Sequence, residues 1–285
     1  MPSTRELRIR IRSVSNTAKV TKAMQLIAAS KMRRAQQMVL DGKAYADRMQ
    51  RVLGHLVGQL PEGESTGVPL LDRRPVQKTA MLLVTPDRGL AGALVGNLNR
   101  VAGMAIRESA SPVSVVAVGR KGERFIARTG QDLVATFSVN DRPRLEDTVA
   151  ISRQLINQYV DGEVDRVVLV FAEFINTAVQ KPTVRTLLPV EPGADALADV
   201  DYIFEPSARE VLETLAPRYV ETQVYHSILE AIASEHSARM VSMKNATDNA
   251  NQLVDDLTLE LNKARQESIT SELLDIVGGV AAIEG

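Results

Sequence analysis

Residues 218–277 run for sixty positions without a glycine or a proline, and residues 3–41 do the same near the other end. As helix, sixty residues would extend roughly 90 Å. A compact domain of this chain length would have a radius of gyration of about 19 Å, so roughly 50 Å across. A helix that long is expected to project from any globule it belongs to. Such a chain suits reaching, levering or coupling better than enclosing a substrate.

Ser3-Thr4-Arg5-Glu6 has the form of a capping box and predicts a helix start. A seam at alternating spacings of four and three then runs from Leu7, Ile11, Val14 and Ala18 through Thr21, Gln25, Ala28 and Met32. It continues through Ala35, Val39, Gly42, Ala46 and Met49 to Leu53 and Leu56. This heptad a/d pattern implies a left-handed supercoil, and its small residues favour close approach of a second helix. Ser207-x-x-Glu210 predicts a second start, Pro217 a kink or restart, and Gly278-Gly279 a weakened end. Val220, Val224, Ile228 and Ile232 form one stripe, which Glu235-His236-Ser237 interrupts. Met243, Ala246, Ala250, Leu253, Leu257, Leu261 and Ala264 resume it. Neither helix would be stable alone with so much apolar surface. The simplest solution is that they pair antiparallel.

Charge supports the pairing. Residues 5–34 hold nine Lys or Arg and one acid; residues 218–277 hold five Lys or Arg and ten acids. The segments differ in sign, +8 against −5, although two solvated faces would also account for this. The net charge of −1 argues against a globally basic nucleic-acid binder.

Between the helices the period changes. Residues 61–75 contain three prolines and two glycines and read as a linker. Strands are expected at 79–85, 113–118, 133–137, 166–174 and 183–190, with a turn at Gln180-Lys181-Pro182. Helices are expected at 90–108, 121–128 and 145–159. The alternation implies a mainly parallel sheet covered by helices, its last two strands close enough for a hairpin. The fold class is therefore α/β: a long antiparallel coiled coil of the terminal helices plus a central Rossmann-like domain. The expected divisions are 1–60, 61–205 and 206–285.

Catalytic signatures are absent. Gly89, Gly92 and Gly96 follow the first strand without GxGxxG spacing, and GxxxxGK[ST] occurs nowhere. Asp87-Arg88-Gly89 sits where such sheets take ligands, but a tight turn with a capping aspartate explains it as well. His55, His226 and His236 lack metal spacing. The methionines, including Met24, Met32 and Met243, read as packing residues. With no cysteine, disulfides and thiolate chemistry are excluded. No apolar run is long enough to cross a membrane, and no secretory signal is visible. No cofactor and no metal are expected. A nucleotide-binding α/β protein and a coiled-coil adaptor for anionic membranes or nucleic acid stay open as alternatives.

Three stretches carry a resemblance. VTKAMQLIAASKMRRAQ (residues 20–36), TPDRGLAGAL (85–94), and EHSARMVSMKNATDNA with NKARQESITSELLDIVGG near the end resemble the gamma-subunit family of F-type ATP synthases. Ala91 replaces a common cysteine, and Val280 replaces an alanine. The resemblance spans the chain and implies a bacterial-type central stalk rotor, itself non-catalytic. It would couple proton-driven rotation of the c-ring to ATP synthesis, or hydrolysis to pumping, at the alpha/beta hexamer. Implied partners are the alpha, beta, epsilon and delta subunits and the membrane c-ring, with no nucleic acid and no transmembrane segment of its own. The implied location is peripheral, on the cytoplasmic face of the cell membrane. By resemblance, Lys19, Lys22, Met24, Arg265, Gln266, Thr270 and Glu272 meet the catalytic subunits. Leu273, Leu274, Ile276, Val277 and Ile283 form an apolar bearing. Phe204 and Glu205 belong to the foot near the ring and epsilon.

Overall fold

The computed structural model describes residues 3–58, 67–191, 205 and 207–284, the last six of these by backbone alone. Helix α1 spans Thr4–Gly58 and helix α5 spans Ala208–Glu284. Between them come β1 (Thr79–Val84), α2 (Leu94–Glu108), β2 (Val113–Val118), α3 (Arg120–Thr129), β3 (Asp132–Phe137), α4 (Glu146–Val160), β4 (Arg166–Phe174) and β5 (Gln180–Leu188). Packing divides the chain into two units. One comprises Met1–Ile27 with Met240–Gly285, the other Ala28–Arg239.

Both capping serines act as expected. Ser3 Oγ accepts the Glu6 N–H at 3.2 Å, and Ser207 Oγ accepts the Glu210 N–H at 3.3 Å. Every seam position on α1 from Leu7 to Leu56 is buried or half-buried. Helix α5 carries both expected breakers within one continuous helix and departs from expectation in two ways. It runs through Pro217 without a restart. The lost backbone bond costs about 3 kcal/mol, offset by the full burial of Leu212, Ala216, Val220 and Val224 alongside it. It also continues past Gly278. Its seam beyond Met243 keeps strict alternation through Thr247, Ala250, Val254, Leu257, Leu261 and Ala264, leaving Leu253 exposed. Thr247 takes the place expected of Ala246 because its partner across the seam is Thr21, the two hydroxyls lying 2.7 Å apart. Finally, His236 and Ser237 do not interrupt burial; they are 3% and 0% exposed.

In the first unit the seam packing is the cohesive feature. Among the described residues no ion pair joins a Lys or Arg of residues 5–34 to an acid of α5, so the opposite charges are not realised as direct contacts. In the second unit the sheet order is β3-β2-β1-β4-β5, parallel except for the antiparallel β4–β5 edge. β1 is buried throughout because both faces are covered. Ala80, Leu82, Val84, Val167, Leu169 and Phe171 face a core completed by α4 and by the terminal helices. Met81, Leu83, Val115, Val168 and Val170 face Ala102 of α2 and Ile126 of α3. Each fully buried Val, Leu, Ile, Met or Phe among them contributes roughly 1.5–3 kcal/mol.

Two loops correct the expected boundaries. Helix α2 starts at Leu94 instead of Leu90, because Leu90 (φ 63°) and Gly92 (φ 57°) are left-handed. Gln180-Lys181-Pro182 is not a turn but the start of β5, where proline is tolerated because β5 is an edge strand. The turn lies just before it: Asn176 Oδ1 accepts the N–H groups of Ala178 and Val179, each at 2.9 Å.

Candidate partner interface and an occupied crevice

The strand order places the topological switch between β1 and β4, with α2 and α3 on one face and α4 on the other. In open α/β sheets, ligands enter at the carboxyl ends of the strands flanking that switch. Here α5 fills the position. Ser234 Oγ donates to the Ala172 carbonyl at 2.9 Å, and Ser237 Oγ to the Thr177 carbonyl at 2.7 Å. Arg239 donates to the Gly89 carbonyl at 3.2 Å. Ala91, Leu94, Leu98 and Ala172 form a small apolar cluster against which Ala238 packs.

The neighbouring helix N-terminus is equally occupied. The opening N–H groups of a helix are a ready anion site when left unpaired. In α3 they are all taken. Arg120 N–H donates to Asp87 Oδ1 at 2.9 Å, and Lys121 N–H to the Pro86 carbonyl at 3.2 Å. Gly122 N–H donates to Thr85 Oγ1 at 2.7 Å, and Glu123 N–H to the Gly119 carbonyl at 3.3 Å. Asp87 is thus a capping aspartate, as one reading of the sequence has it, but it caps α3 and not the helix that follows it. The close approach requires glycine at 119: a Cβ there would lie 1.9 Å from the Thr85 carbonyl oxygen, at φ +89°. Among the described residues no group of acids and histidines is arranged to hold a metal. No described helix is long and apolar enough to cross a membrane.

The residues singled out by resemblance fall mainly in the first unit. Lys19 and Lys22 are exposed on α1 and Met24 is half-buried. Arg265, Gln266, Thr270 and Glu272 are exposed on α5. Thr270 Oγ1 donates to the Gln266 carbonyl at 2.9 Å, a bond internal to the helix. Gln266 and Thr270 line a shallow groove of about 410 Å³ with Lys263, Glu267, Ser271 and Leu274. Leu273, Leu274, Ile276 and Val277 are 57–66% exposed. Four large apolar side chains within five residues, all facing solvent, make an unpartnered patch on the isolated chain. The side chain of Ile283 and the whole of Phe204 lie outside the described residues. Glu205, in the second unit, lines an open groove of about 490 Å³ with Tyr45, Glu210, Val211, Thr214 and Arg218. Apart from the residues expected from the resemblance, the structure adds Glu235, His236 and Arg239. They were hidden because their polar character argues for solvent, whereas they are buried or half-buried.

Residues 3–283 match the family described as ATP synthase. An ATP synthase gamma chain from Dehalococcoides mccartyi is 51% identical over 285 residues, covering 99% of this chain and 100% of the relative. One from a Roseiflexus species is 51% identical over 288 residues with 99% of each covered, and one from Chloroflexus aurantiacus is 48% identical. Among solved structures, the rotor of Euglena gracilis mitochondrial ATP synthase shares the fold with a TM-score of 0.63 at 18% identity, over 93% of this chain and 98% of that one. The central stalk and c-ring structure of Tetrahymena thermophila mitochondrial ATP synthase gives 0.61 at 22%, over 80% and 99%. A full-length match of this strength, on a fold of paired terminal helices around a mainly parallel sheet, means that the chain belongs to the ATP synthase gamma chain family.

Proposed function

We propose that the chain is the central rotor shaft of an F-type ATP synthase, a non-catalytic subunit that transmits rotation between a membrane ring and a catalytic hexamer. The observation that carries this reading is the occupied crevice: the place where an α/β sheet takes a ligand is filled by α5 itself. The sheet therefore serves as a mount that grips a long helix. The family membership gives that helix its role.

The partner contacts follow from chemistry. Lys19 and Lys22 are exposed cations that suit acidic segments of a surrounding subunit, with Met24 beside them. Arg265, Gln266, Thr270 and Glu272 offer charge-assisted and neutral hydrogen bonds that would be made in one rotary position and released in another. Leu273, Leu274, Ile276, Val277 and Ile283 supply apolar surface without directional bonds, which suits a bearing that must turn. Phe204 and Glu205 would lie at the foot, toward epsilon and the c-ring. Alpha, beta, epsilon and delta subunits and the c-ring are the partners. The location is peripheral, at the cytoplasmic face of the cell membrane.

Reconstitution of the full chain with alpha and beta subunits tests the proposal. The expected result is a stable complex whose ATP hydrolysis drives rotation of this chain, while the chain alone hydrolyses nothing. Robust ATPase activity of the lone chain, or failure to assemble, would overturn it. Saturable micromolar binding of ATP or a dinucleotide to the lone chain would favour the nucleotide-binding alternative.

A further inference from the structure

Five charged or titratable side chains meet inside the second unit, drawn from three parts of the chain. Lys31 of α1 pairs with Asp141 in the connection between β3 and α4. His236 Nε2 of α5 lies 3.6 Å from the other Asp141 oxygen. Arg239 Nη1 is 3.4 Å from His236 Nδ1, and its Nη2 pairs with Glu235 at 2.6 Å and donates to the Gly89 carbonyl. Since arginine is always a donor, His236 Nδ1 accepts, and the neutral ring carries its proton on Nε2, which lies beyond hydrogen-bond distance of Asp141 and has no hydrogen-bond partner. The same connection is held a few turns away, where Tyr225 Oη donates to the Pro143 carbonyl at 3.2 Å. In chain position, Arg239 is the last residue of this unit and Lys31 the fourth.

We propose that Lys31, Asp141, His236, Arg239 and Glu235 form a polar clamp that binds α1 and α5 to the loops of the sheet, so that a twist of the helices is carried by the α/β body. The second half of this statement rests on the rotor reading. The chemistry suits a lock. An apolar seam sets no hydrogen-bond geometry, whereas the Lys31–Asp141 pair on α1 and the Arg239 bond to the Gly89 carbonyl on α5, with Glu235 holding the guanidinium, are directional and fix one rotation of each helix. Burial keeps His236 neutral, which leaves the Asp141 charge to Lys31. Lys31 and Asp141 keep side-chain exposures of 43% and 50%, so their replacement does not open the core.

Hydrogen exchange on the isolated full chain reads the clamp without any partner. Lys31→Met and Asp141→Asn should each raise amide exchange about tenfold at residues 138–147 and 232–240, leaving β1 and β4 unchanged. The double variant should exchange no faster than Asp141→Asn alone, because the Lys31 ion pair is already lost once Asp141 loses its charge. Lys31→Arg should restore the protection. Unchanged exchange in both single variants, or additive effects in the double, would overturn the clamp. In the reconstituted complex, Lys31→Met should widen the angular fluctuations of the rotor, and an unchanged width would overturn the torsional role. A wild-type chain that assembles but does not rotate defeats the rotor reading and leaves the exchange result standing.

Discussion

Helix α5 lives in two environments. Within residues 208–239 it is buried on several sides, with Leu212, Ala216, Val220, Val224, Leu229 and Ala233 all at 0–1% exposure. Within residues 240–278 only a single stripe is buried, and large apolar side chains such as Leu259, Ile269 and Leu274 face solvent. In the first case the sheet and α1 both cover the helix; in the second, among the described residues, only α1 does. The same secondary structure is thus a core element over one half and a displayed surface over the other. Stability is concentrated where the sheet is, and apolar surface remains for partners where it is not.

The sharpest way to break this comparison is to place a charge in each half. Val224→Asp buries an unpaired carboxylate and should unfold the chain or cost more than about 4 kcal/mol. Ile276→Asp, at a position 63% exposed, should leave the thermal melt of the isolated chain within about 0.5 kcal/mol yet weaken assembly or coupling of the complex. Equal effects on the isolated chain would erase the distinction. Next in size is Gly119→Ala, which drives a Cβ into the Thr85 carbonyl and should cost at least about 2 kcal/mol by chemical denaturation. Near wild-type stability would mean that the loop between β1 and α2 is free to move.

A pH titration separates the halves differently. Burial pushes His236 down from 6.5 to about 4, partly opposed by Asp141 and reinforced by Arg239 and Lys31. Asp141 is held below its usual value: burial would raise it, but the Lys31 hydrogen bond and nearby positive charge prevail. Burial raises Glu235 despite Arg239. For a histidine with a depressed native pKa, the unfolded chain binds more protons between the two values. The His236 contribution is therefore complete above about pH 6.5 and is lost as pH falls toward 4, by up to about 3 kcal/mol. His236→Gln should flatten that part of the stability profile, and an unchanged slope would contradict the burial. The smallest expected effect is at the seam of the first unit. Thr21→Val should cost about 0.5–1 kcal/mol, since Thr247 keeps its bond to the Met243 carbonyl, and Thr21→Val with Thr247→Val should recover most of the loss. A denaturation series on the four proteins of that cycle checks it.

The parts legible in the sequence were those set by local repetition. The seam on α1 could be traced from Leu7 to Leu56 because a 4-3 period needs no knowledge of the partner. The ranges of β2 and β4 matched as written. β5 and α2 were misplaced where local rules conflict. Proline usually marks a turn but is tolerated on an edge strand, and Leu90 adopts a backbone conformation that its residue type disfavours. The choice of Thr247 over Ala246 depended on Thr21 across the seam. The Glu235-His236-Ser237 interruption was visible as polarity, but its meaning lay in Asp141, Arg239 and the carbonyls of Gly89 and Thr177, which only folding brings together.

Two long helices, a shared apolar seam, an alternating α/β middle and the family are all written along the chain. Tertiary structure alone decided the strand order, which helix fills the crevice at its switch, and which N–H groups Asp87 and Thr85 cap. The physical reason is range. Periodicity and capping act over a few residues and are written along the chain. Burial of polar groups and occupation of a cleft are settled by residues 60 to 150 positions apart, such as Ser237 and Thr177 or Gly89 and Arg239, whose approach no local pattern records.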